Sequence, residues 1–391
     1  MKEHVLAILN VAGEVAEIGV EVATAADELA TSLSDGVADR ITPEIGLKCK
    51  KCEYRLDAVE KRNGFRECWG KLANPDPHLL DLYRVDLAGG KNSDLFVTLA
   101  ASGKVALSDV TEEILTGATA VRQRIQLEYT AEKREWIDPD LPELLKRHVC
   151  PLHFIDFEAS RLAIPYHVGM RPYEIAAFQW SVHTLMAPGA PLEHREWLNA
   201  EEAFPNFQFA RSLRERIGDA GTVLIWSPYE KVVLGEIREQ MEKYSEQDAD
   251  LAAWLDRITR DQNPRVIDLC ELAKLYYFHP AMKGSLSIKH ILPAVWEVDT
   301  ELCTDPEFAR YAKRDAAGRL LNPYATLPPL PIGDKEEVVN EGTGAMRTYQ
   351  AMLYGVEASD PVAKEAYRKL LLQYCGLDTA AMVMIWRHWT K

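Results

Sequence analysis

Four β-type runs most constrain the fold of this chain. Residues 152–159, 175–185 and 193–198 have the composition and alternation typical of strands. Residues 222–226 are an apolar, β-branched run that suits a buried central strand. Helical patterns follow the third run and alternate with the later ones. The sequence therefore predicts an α/β fold, a mixed sheet flanked by helices.

The sharpest chemical signal lies on the first run, which contains Asp156 and Glu158. Side chains alternate along a strand, so the two carboxylates project from one face, with Cα atoms about 6–7 Å apart. An acidic pair on an apolar strand is costly to bury unless a positive charge lies beside it. The pair thus predicts a site for a hard divalent cation. A solvated strand end is the alternative, because Asp-x-Glu is common.

A second signal lies near the end of the sequence, where Tyr374 precedes Asp378 by four residues. On a helix these positions share one face, and a phenol beside a metal-bound carboxylate can hold a water molecule. The alternative is a packed tyrosine and an aspartate that caps the last helix. Gly376 weakens a continuous helix, so residues 362–374 and 378–389 are predicted as separate helices.

Further acids follow two later apolar runs, Glu230 in the first turn of a helix and Asp268 after residues 265–267. Either acid can join the first pair at a sheet edge, and Glu230 can instead complement a helix dipole. Three or four acids from separate elements suit two Mg²⁺ or Mn²⁺ ions roughly 4 Å apart, as in phosphoryl transfer.

These acids resemble the pattern of the DEDD (DnaQ-like) 3′–5′ exonucleases of the RNase H-like superfamily, and the Tyr374–Asp378 spacing resembles their tyrosine subclass. More narrowly, residues 80–390 resemble an uncharacterised bacterial family assigned to that superfamily. The resembling blocks are residues 153–158, 171–173, 177–183, 226–231, 265–269, 284–293 and 374–379.

The resemblance implies a role for each site residue. Asp156, Glu158 and Asp378 would hold the two metal ions, and Tyr374 would position the attacking water. Glu230 stands where these exonucleases usually have aspartate, which leaves Asp268 as its rival. The implied activity is 3′–5′ hydrolysis of DNA or RNA phosphodiester bonds, at single-stranded ends. Lys289 would touch a substrate phosphate, with a solvated helix residue as the alternative. Apart from the resemblance, Trp226 can stack on a base of a single-stranded end, and a core position is its alternative.

A cysteine cluster forms a separate feature. Cys49 and Cys52 make a Cys-x-x-Cys knuckle, and fifteen residues separate Cys52 from Cys68. Such a knuckle suits Zn²⁺ or an iron–sulphur cluster, although a fourth ligand is missing. His78 is one candidate and Cys150 a poorer one. Three reduced cysteines without a metal are the alternative.

The cysteines lie in a basic segment. Residues 48–71 contain eight Lys and Arg against four acids, among them Lys50, Lys51 and Arg55, which are candidate nucleic-acid contacts. Residues 1–70 also resemble the C-terminal end of RecB-type PD-(D/E)XK nucleases that carry an iron–sulphur cluster. Residues 1–48 are too short for that catalytic core, so the resemblance covers a remnant, and a protein partner is plausible.

The organisation predicted from these features has three parts: a helical cysteine-containing segment (1–75), a connecting α/β region (76–148) and an exonuclease-like domain (149–391). The last contains a proline-rich insertion at residues 303–340. Within the connecting region, residues 95–99 are predicted as a strand.

Composition excludes some classes of function. The net charge of −15 argues against a histone-like coat on duplex DNA, and no apolar run is long enough for a membrane helix. The cysteine usage and the absence of a signal-peptide pattern lead us to expect a cytoplasmic protein with no membrane partner. Two alternatives to the exonuclease stay open: a non-catalytic nucleic-acid-binding or assembly module that uses the cysteine segment, and a hydrolase of small phosphate esters or nucleotides that uses the same acidic site.

Overall fold

The computed structural model describes residues 10–34, 43–56, 63–90, 94–333 and 335–391. The chain divides into two units, one of residues 1–80 and 94–109 and one of residues 81–93 and 110–391. Among the residues described, no helix is both long enough and apolar enough to cross a membrane.

The described residues of the first unit form three α-helices and several short 3₁₀ turns. The helices are α1 (Ala12–Ser34), α2 (Gly64–Trp69) and α3 (Leu95–Ala101). The predicted strand at residues 95–99 is therefore wrong. Phe96 and Leu99 are buried from one side of α3 while Val97 is exposed, so a helical period outweighs the strand preference of this short run.

The second unit is built on a five-stranded sheet with the order β4-β3-β2-β5-β6. Its strands are β2 (Leu152–Arg161), β3 (Ile175–Leu185), β4 (Leu192–Leu198), β5 (Thr222–Ile225) and β6 (Val266–Asp268). The first three pair antiparallel, whereas β5 and β6 run parallel to β2. The mixed sheet flanked by helices that the sequence predicts is therefore present.

Helices cover both faces of this sheet. The other elements of the unit are α4 (Ala120–Glu132), β1 (Trp136–Ile137), α5 (Leu141–Lys146), α6 (Asn206–Ile217), α7 (Tyr229–Lys243), α8 (Ala249–Ile258), α9 (Leu269–Tyr276), β7 (Tyr277–Phe278), α10 (Ile288–Val298), α11 (Thr300–Thr304), β8 (Leu330–Ile332), β9 (Lys335–Glu337), α12 (Gly342–Tyr354) and α13 (Pro361–Trp389). Ile155 and Phe157 pack with α6, α7 and α8 on one face. Phe154 packs with α9, α10, α12 and α13 on the other.

Helix α13 is one continuous helix, so the predicted break near Gly376 is wrong. Asp360 caps its start by accepting a hydrogen bond from the Val362 amide, and Pro361 occupies the first turn. Gly376 is buried inside the helix, and a Cβ there would lie 3.5 Å from the His194 ring. Close packing against β4 compensates for the low helix propensity of glycine.

Candidate metal centre

Strand β2 places Asp156 and Glu158 on the face that α13 covers. They alternate with Ile155 and Phe157, which belong to the core on the opposite face. Asp156 is opposite Ser181 and Glu158 is opposite Gln179, and the register between β2 and β3 shifts directly after Glu158. Such bulges redirect side chains beside functional sites. The structure thus confirms that the two acids share one face.

Asp378 joins this pair from α13. One oxygen of each carboxylate of Asp156, Glu158 and Asp378 lies within 4.8 Å of the other two. The helix is fixed against β2 at this point, because the Cys375 thiol donates to Asp156, with its Sγ 3.6 Å from the backbone oxygen and 3.3 Å from Oδ2. In the described part of the chain, this is the single set of three or more potential metal ligands found this close together.

Glu230 is a neighbour of the triad. It lies in the first turn of α7, it is buried, and its Oε2 has no hydrogen-bond partner among the described residues. Its negative charge contributes to the raised pKa of Glu158, after burial and the charges of Asp156 and Asp378. A buried, unpartnered carboxylate oxygen beside three other acids is unfavourable without a cation.

Asp268 has a local structural role. Its Oδ1 accepts hydrogen bonds from the backbone amides of Ser227, Cys270 and Glu271, at 3.0, 2.8 and 3.3 Å. It therefore caps α9 and holds Ser227, whose φ of +80° turns the chain between β5 and α7. Glu230 and Asp268 were the two candidates for the fourth acid of the site. Glu230 has a carboxylate oxygen without a hydrogen-bond partner among the described residues, and it is the better candidate.

Four neighbouring acids shift each other's protonation; Glu158, Glu230 and Asp378 are buried and Asp156 is half-buried. Burial is the largest cause of the raised pKa of Asp156, Glu158, Glu230 and Asp378, and neighbouring carboxylates add to it for the first three. The positive charge of Lys289 opposes this rise at Asp156, Glu158 and Asp378. A positive charge therefore stabilises the ionised carboxylates of this site, and Lys289 supplies one such charge.

Lys289 extends from α10 to Tyr374. Its Nζ lies 2.5 Å from the Tyr374 hydroxyl oxygen and also donates to the Asn340 carbonyl at 3.0 Å. Burial, and then the charges of Asp378 and Glu158, raise the pKa of the Tyr374 phenol, which therefore keeps its proton. Since the ammonium donates to the phenol oxygen, the phenol proton is available to an acceptor, and a hydrogen bond from Tyr374 lowers the pKa of Asp378 against the effect of burial.

Tyr324 is a site residue that the sequence did not indicate. It lies in a buried 3₁₀ turn at Pro323–Thr326 of the proline-rich segment, and its hydroxyl donates to Asp378 Oδ1. The Nζ of Lys289 lies 5.4 Å from the centre of its ring. No local pattern identifies this tyrosine, because its partner is 54 residues away.

The donor set fits hard divalent cations. Three carboxylates within 4.8 Å, and a fourth acid with an unpartnered oxygen, present the oxygen ligands that Mg²⁺ and Mn²⁺ prefer. Asp156, Glu158 and Asp378 are the residues that would hold such ions, with Glu230 beside them.

The cysteine segment gives a different result. Burial and the charges of Cys49 and Cys52 raise the pKa of the Cys68 thiol, so the three thiols are neighbours. They do not form a set of ligands within 4.8 Å. The candidate fourth ligand, His78, accepts a hydrogen bond from the Leu80 amide, and its other ring nitrogen lies 3.2 Å from the Leu72 carbonyl oxygen. His78 therefore already has partners for both ring nitrogens.

The candidate nucleic-acid contacts are spread over the chain. In the first unit, Lys51 is exposed, Lys50 is half-buried, and the Arg55 guanidinium lies 4.9 Å from the centre of the Phe65 ring. In the second unit, Trp226 is half-buried, and its indole N–H donates to the Leu286 carbonyl. That hydrogen bond fixes the indole between β5 and the segment that leads to α10.

Comparison with protein families gives one match. A domain of unknown function (DUF2779) matches residues 153–287, less than half of the chain. The matched stretch contains Asp156, Glu158 and Glu230 and ends before Tyr374 and Asp378. No curated protein and no solved structure matches the chain.

Proposed function

We propose that this protein is a metal-dependent 3′–5′ exonuclease that hydrolyses phosphodiester bonds of single-stranded DNA or RNA. The observation that carries the proposal is the convergence of Asp156, Glu158 and Asp378 within 4.8 Å. Acids from a strand and from a helix more than 200 residues later in the sequence meet beside a fourth acid, and only Asp156 among them is half-buried rather than buried. The 3′–5′ direction rests on the resemblance of these motifs to the tyrosine subclass of DEDD exonucleases.

Divalent cations at this centre would supply Lewis-acid activation of the phosphodiester and of the attacking water. Asp156, Glu158 and Asp378 provide the ligands, and Glu230 supplies further negative charge. The contribution of the fold is to hold these acids together before any cation arrives. The Cys375–Asp156 contact and the Tyr324–Asp378 hydrogen bond serve this purpose.

Tyr374 has the geometry of a water-positioning residue. Its hydroxyl oxygen accepts from Lys289, and its raised pKa keeps the phenol protonated, so it acts as a hydrogen-bond donor and not as a base. A phenol oriented in this way can orient a water molecule or a phosphate oxygen beside Asp378. Proton removal from the water then falls to a carboxylate of the site.

Lys289 provides a fixed positive charge at the same place. Its ammonium opposes the raised pKa of three acids of the site, so it lies within electrostatic range of the reacting groups. A preorganised cation stabilises the negative charge that develops on a phosphate in the transition state. This position supports the expected contact of Lys289 with a substrate phosphate.

The test uses oligonucleotides labelled at either end. Single-stranded DNA and RNA are incubated with the full-length protein and Mn²⁺, and products are resolved on a sequencing gel. The proposal predicts that a 5′ label gives a ladder of shortening products, whereas a 3′ label is released at once as a mononucleotide. EDTA should stop both reactions. Internal cuts alone, or no cleavage of either polymer, would count against the proposal, and binding without cleavage would favour the non-catalytic module.

A further inference from the structure

A cavity lies against α13, apart from the carboxylates. It has a volume of about 590 Å³ and is lined by α13, β4 and the proline-rich segment. On α13 its lining residues are Lys369, Leu372, Gln373 and Gly376, which recur at helical spacing on one face. Tyr374 and Asp378 do not line it, so this cavity is distinct from the candidate metal centre.

The cavity wall carries an excess of positive charge. Arg310, Lys313 and Lys369 line it, with Glu196 as its acid. The chain as a whole has a net charge of −15, so three cations around one cavity are a local reversal of sign. A concave site lined by one sign of charge concentrates ligands of the opposite sign. The ligand class that fits is therefore anionic.

Two of the cations are held in place by the cavity itself. Lys313 donates to the Thr326 carbonyl oxygen at 2.7 Å, and Arg310 donates to the Tyr311 hydroxyl at 2.7 Å. A lysine has three donor N–H groups and an arginine has five, so both keep donors for a ligand. Fixed cations lose less side-chain entropy on binding than mobile ones.

A polar group suited to a nucleotide lines the same cavity as the cations. The Gln373 Oε1 is buried in the cavity wall and has no hydrogen-bond partner among the residues that the structure describes. Turned toward the cavity, the Gln373 oxygen would accept a hydrogen bond from a base or sugar donor of a nucleotide whose phosphate oxygens contact the cations. The volume also lies in the range of about 300–1,000 Å³ that is typical of small-ligand sites.

The cavity and the metal centre are built from the same two segments. Gln373 lines the cavity, and its neighbour Tyr374 contacts Lys289 at the metal centre. Thr326 lines the cavity, and Tyr324 in the same 3₁₀ turn donates to Asp378. The cavity and the carboxylates therefore share α13 and the proline-rich segment, so one bound strand can contact both.

We propose that this cavity binds a backbone phosphate of the nucleic-acid strand, outside the point of hydrolysis, through Arg310, Lys313 and Lys369. This inference rests on the proposed function, because it takes the ligand to be the substrate strand. It adds a subsite that holds the strand while its end is at the metal centre.

The test measures binding without hydrolysis. A fluorescent single-stranded oligonucleotide is titrated with full-length protein in EDTA, and fluorescence anisotropy is recorded at several salt concentrations. Arg310→Ala and Lys369→Ala should each weaken binding about 3- to 10-fold and lower the salt slope by about one. Arg319→Ala is the matched control. Arg319 lies in the same segment, is exposed, pairs with Asp315 and does not line the cavity.

The outcomes separate the two proposals. Unchanged affinity and salt slope in the Arg310→Ala, Lys369→Ala double variant would overturn the subsite, even if the wild type hydrolyses the strand. Weaker binding in that variant, together with no hydrolysis by the wild type in Mn²⁺, would support the subsite and contradict the exonuclease. No oligonucleotide binding by the wild type in EDTA would also overturn the subsite.

Discussion

Tyr324 donates a hydrogen bond to Asp378, and this contact links the proline-rich segment to the candidate metal centre. The tyrosine is buried in a 3₁₀ turn that Asn322 caps with its side chain. Through this bond a segment with little regular structure helps to orient a carboxylate on α13. The segment is therefore part of the site as well as an insertion in the fold.

Tyr324→Phe removes this hydrogen bond and leaves the ring in place. A hydrogen bond to a charged group contributes about 1.5–3 kcal/mol, and loss of a group that orients a metal ligand lowers metal affinity about 10- to 100-fold. We therefore expect the Mn²⁺ concentration for half-maximal activity to rise by about tenfold. Titration of Mn²⁺ by isothermal calorimetry gives an independent reading.

Tyr311→Phe serves as the control for this experiment. Tyr311 is also a buried tyrosine of the proline-rich segment, but its hydroxyl accepts a hydrogen bond from Arg310, whereas the Tyr324 hydroxyl donates to a metal ligand. Equal Mn²⁺ affinity in Tyr324→Phe and the wild type would show that the Tyr324 hydroxyl does not orient Asp378 for metal binding.

Lys289→Gln tests the fixed positive charge. Without the ammonium, the carboxylates of Asp156, Glu158 and Asp378 lose the cation that opposes their raised pKa. We expect the free energy of unfolding in EDTA to fall by about 1–3 kcal/mol and the rate of hydrolysis to fall on the order of a hundredfold. Mn²⁺ should then raise the melting temperature more in the variant than in the wild type.

The control is Lys274→Gln, which removes a lysine that pairs with Glu271 on the surface of α9. An equal response of Lys289→Gln and the wild type to Mn²⁺, measured by circular dichroism, would contradict the assigned role of Lys289.

Gly221→Ala tests the start of the parallel pair β2 and β5. Gly221 has a φ of +74°, and a Cβ there would lie 2.1 Å from the Pro151 carbonyl oxygen. Gly189→Ala is the matched control, because Gly189 has a φ of +76° and nothing within 4 Å of the added carbon. We expect destabilisation of about 1–2 kcal/mol for the control and at least about 3 kcal/mol for Gly221→Ala in urea unfolding. Similar losses of unfolding free energy for the two variants would show that the backbone at Gly221 and Pro151 moves apart to accept the added carbon without further destabilisation.

His388 makes stability depend on pH. Burial lowers the pKa of its imidazole, but hydrogen bonds and charges from Glu135 and Asp299 raise it by more, so the folded pKa lies above the ordinary value of 6.5. Protonated His388 therefore stabilises the folded protein fully at a pH below the pKa of the imidazole in the unfolded chain. This stabilisation is lost as the pH rises through the higher pKa of the imidazole in the folded protein. The free-energy difference between the wild type and His388→Asn should be larger near about pH 6 than near about pH 9. A difference that grows with pH would contradict this assignment.

The sequence indicated the sheet and most of the site because both depend on local patterns. Strand alternation placed Asp156 and Glu158 on one face, and the spacing of Tyr374 and Asp378 placed them on one helix. Each of these two patterns spans only a few residues, so it can be recognised without knowledge of the fold. The same local rules were wrong at Gly376, where packing against His194 maintains the helix.

Other parts of the site depend on contacts between distant residues. Sequence alone could not decide whether Glu230 or Asp268 is the fourth acid of the site. The hydrogen bonds that Asp268 accepts from backbone amides show that it caps a helix. Tyr324 was not identifiable, because its role arises from a partner on α13. Cysteine spacing suggested a metal knuckle, but the structure does not bring the three thiols together as a ligand set.

The most direct measurement is a time course of hydrolysis of 5′-labelled single-stranded DNA and RNA in Mn²⁺, with three proteins compared. The wild type should shorten one or both strands from the 3′ end. Asp378→Asn should lose at least about a hundredfold in rate and keep its circular dichroism spectrum. Asp268→Asn, whose side chain can still accept the capping hydrogen bonds, should cleave at a rate close to that of the wild type. Equal rates in the wild type and Asp378→Asn would contradict a catalytic centre at Asp156, Glu158 and Asp378.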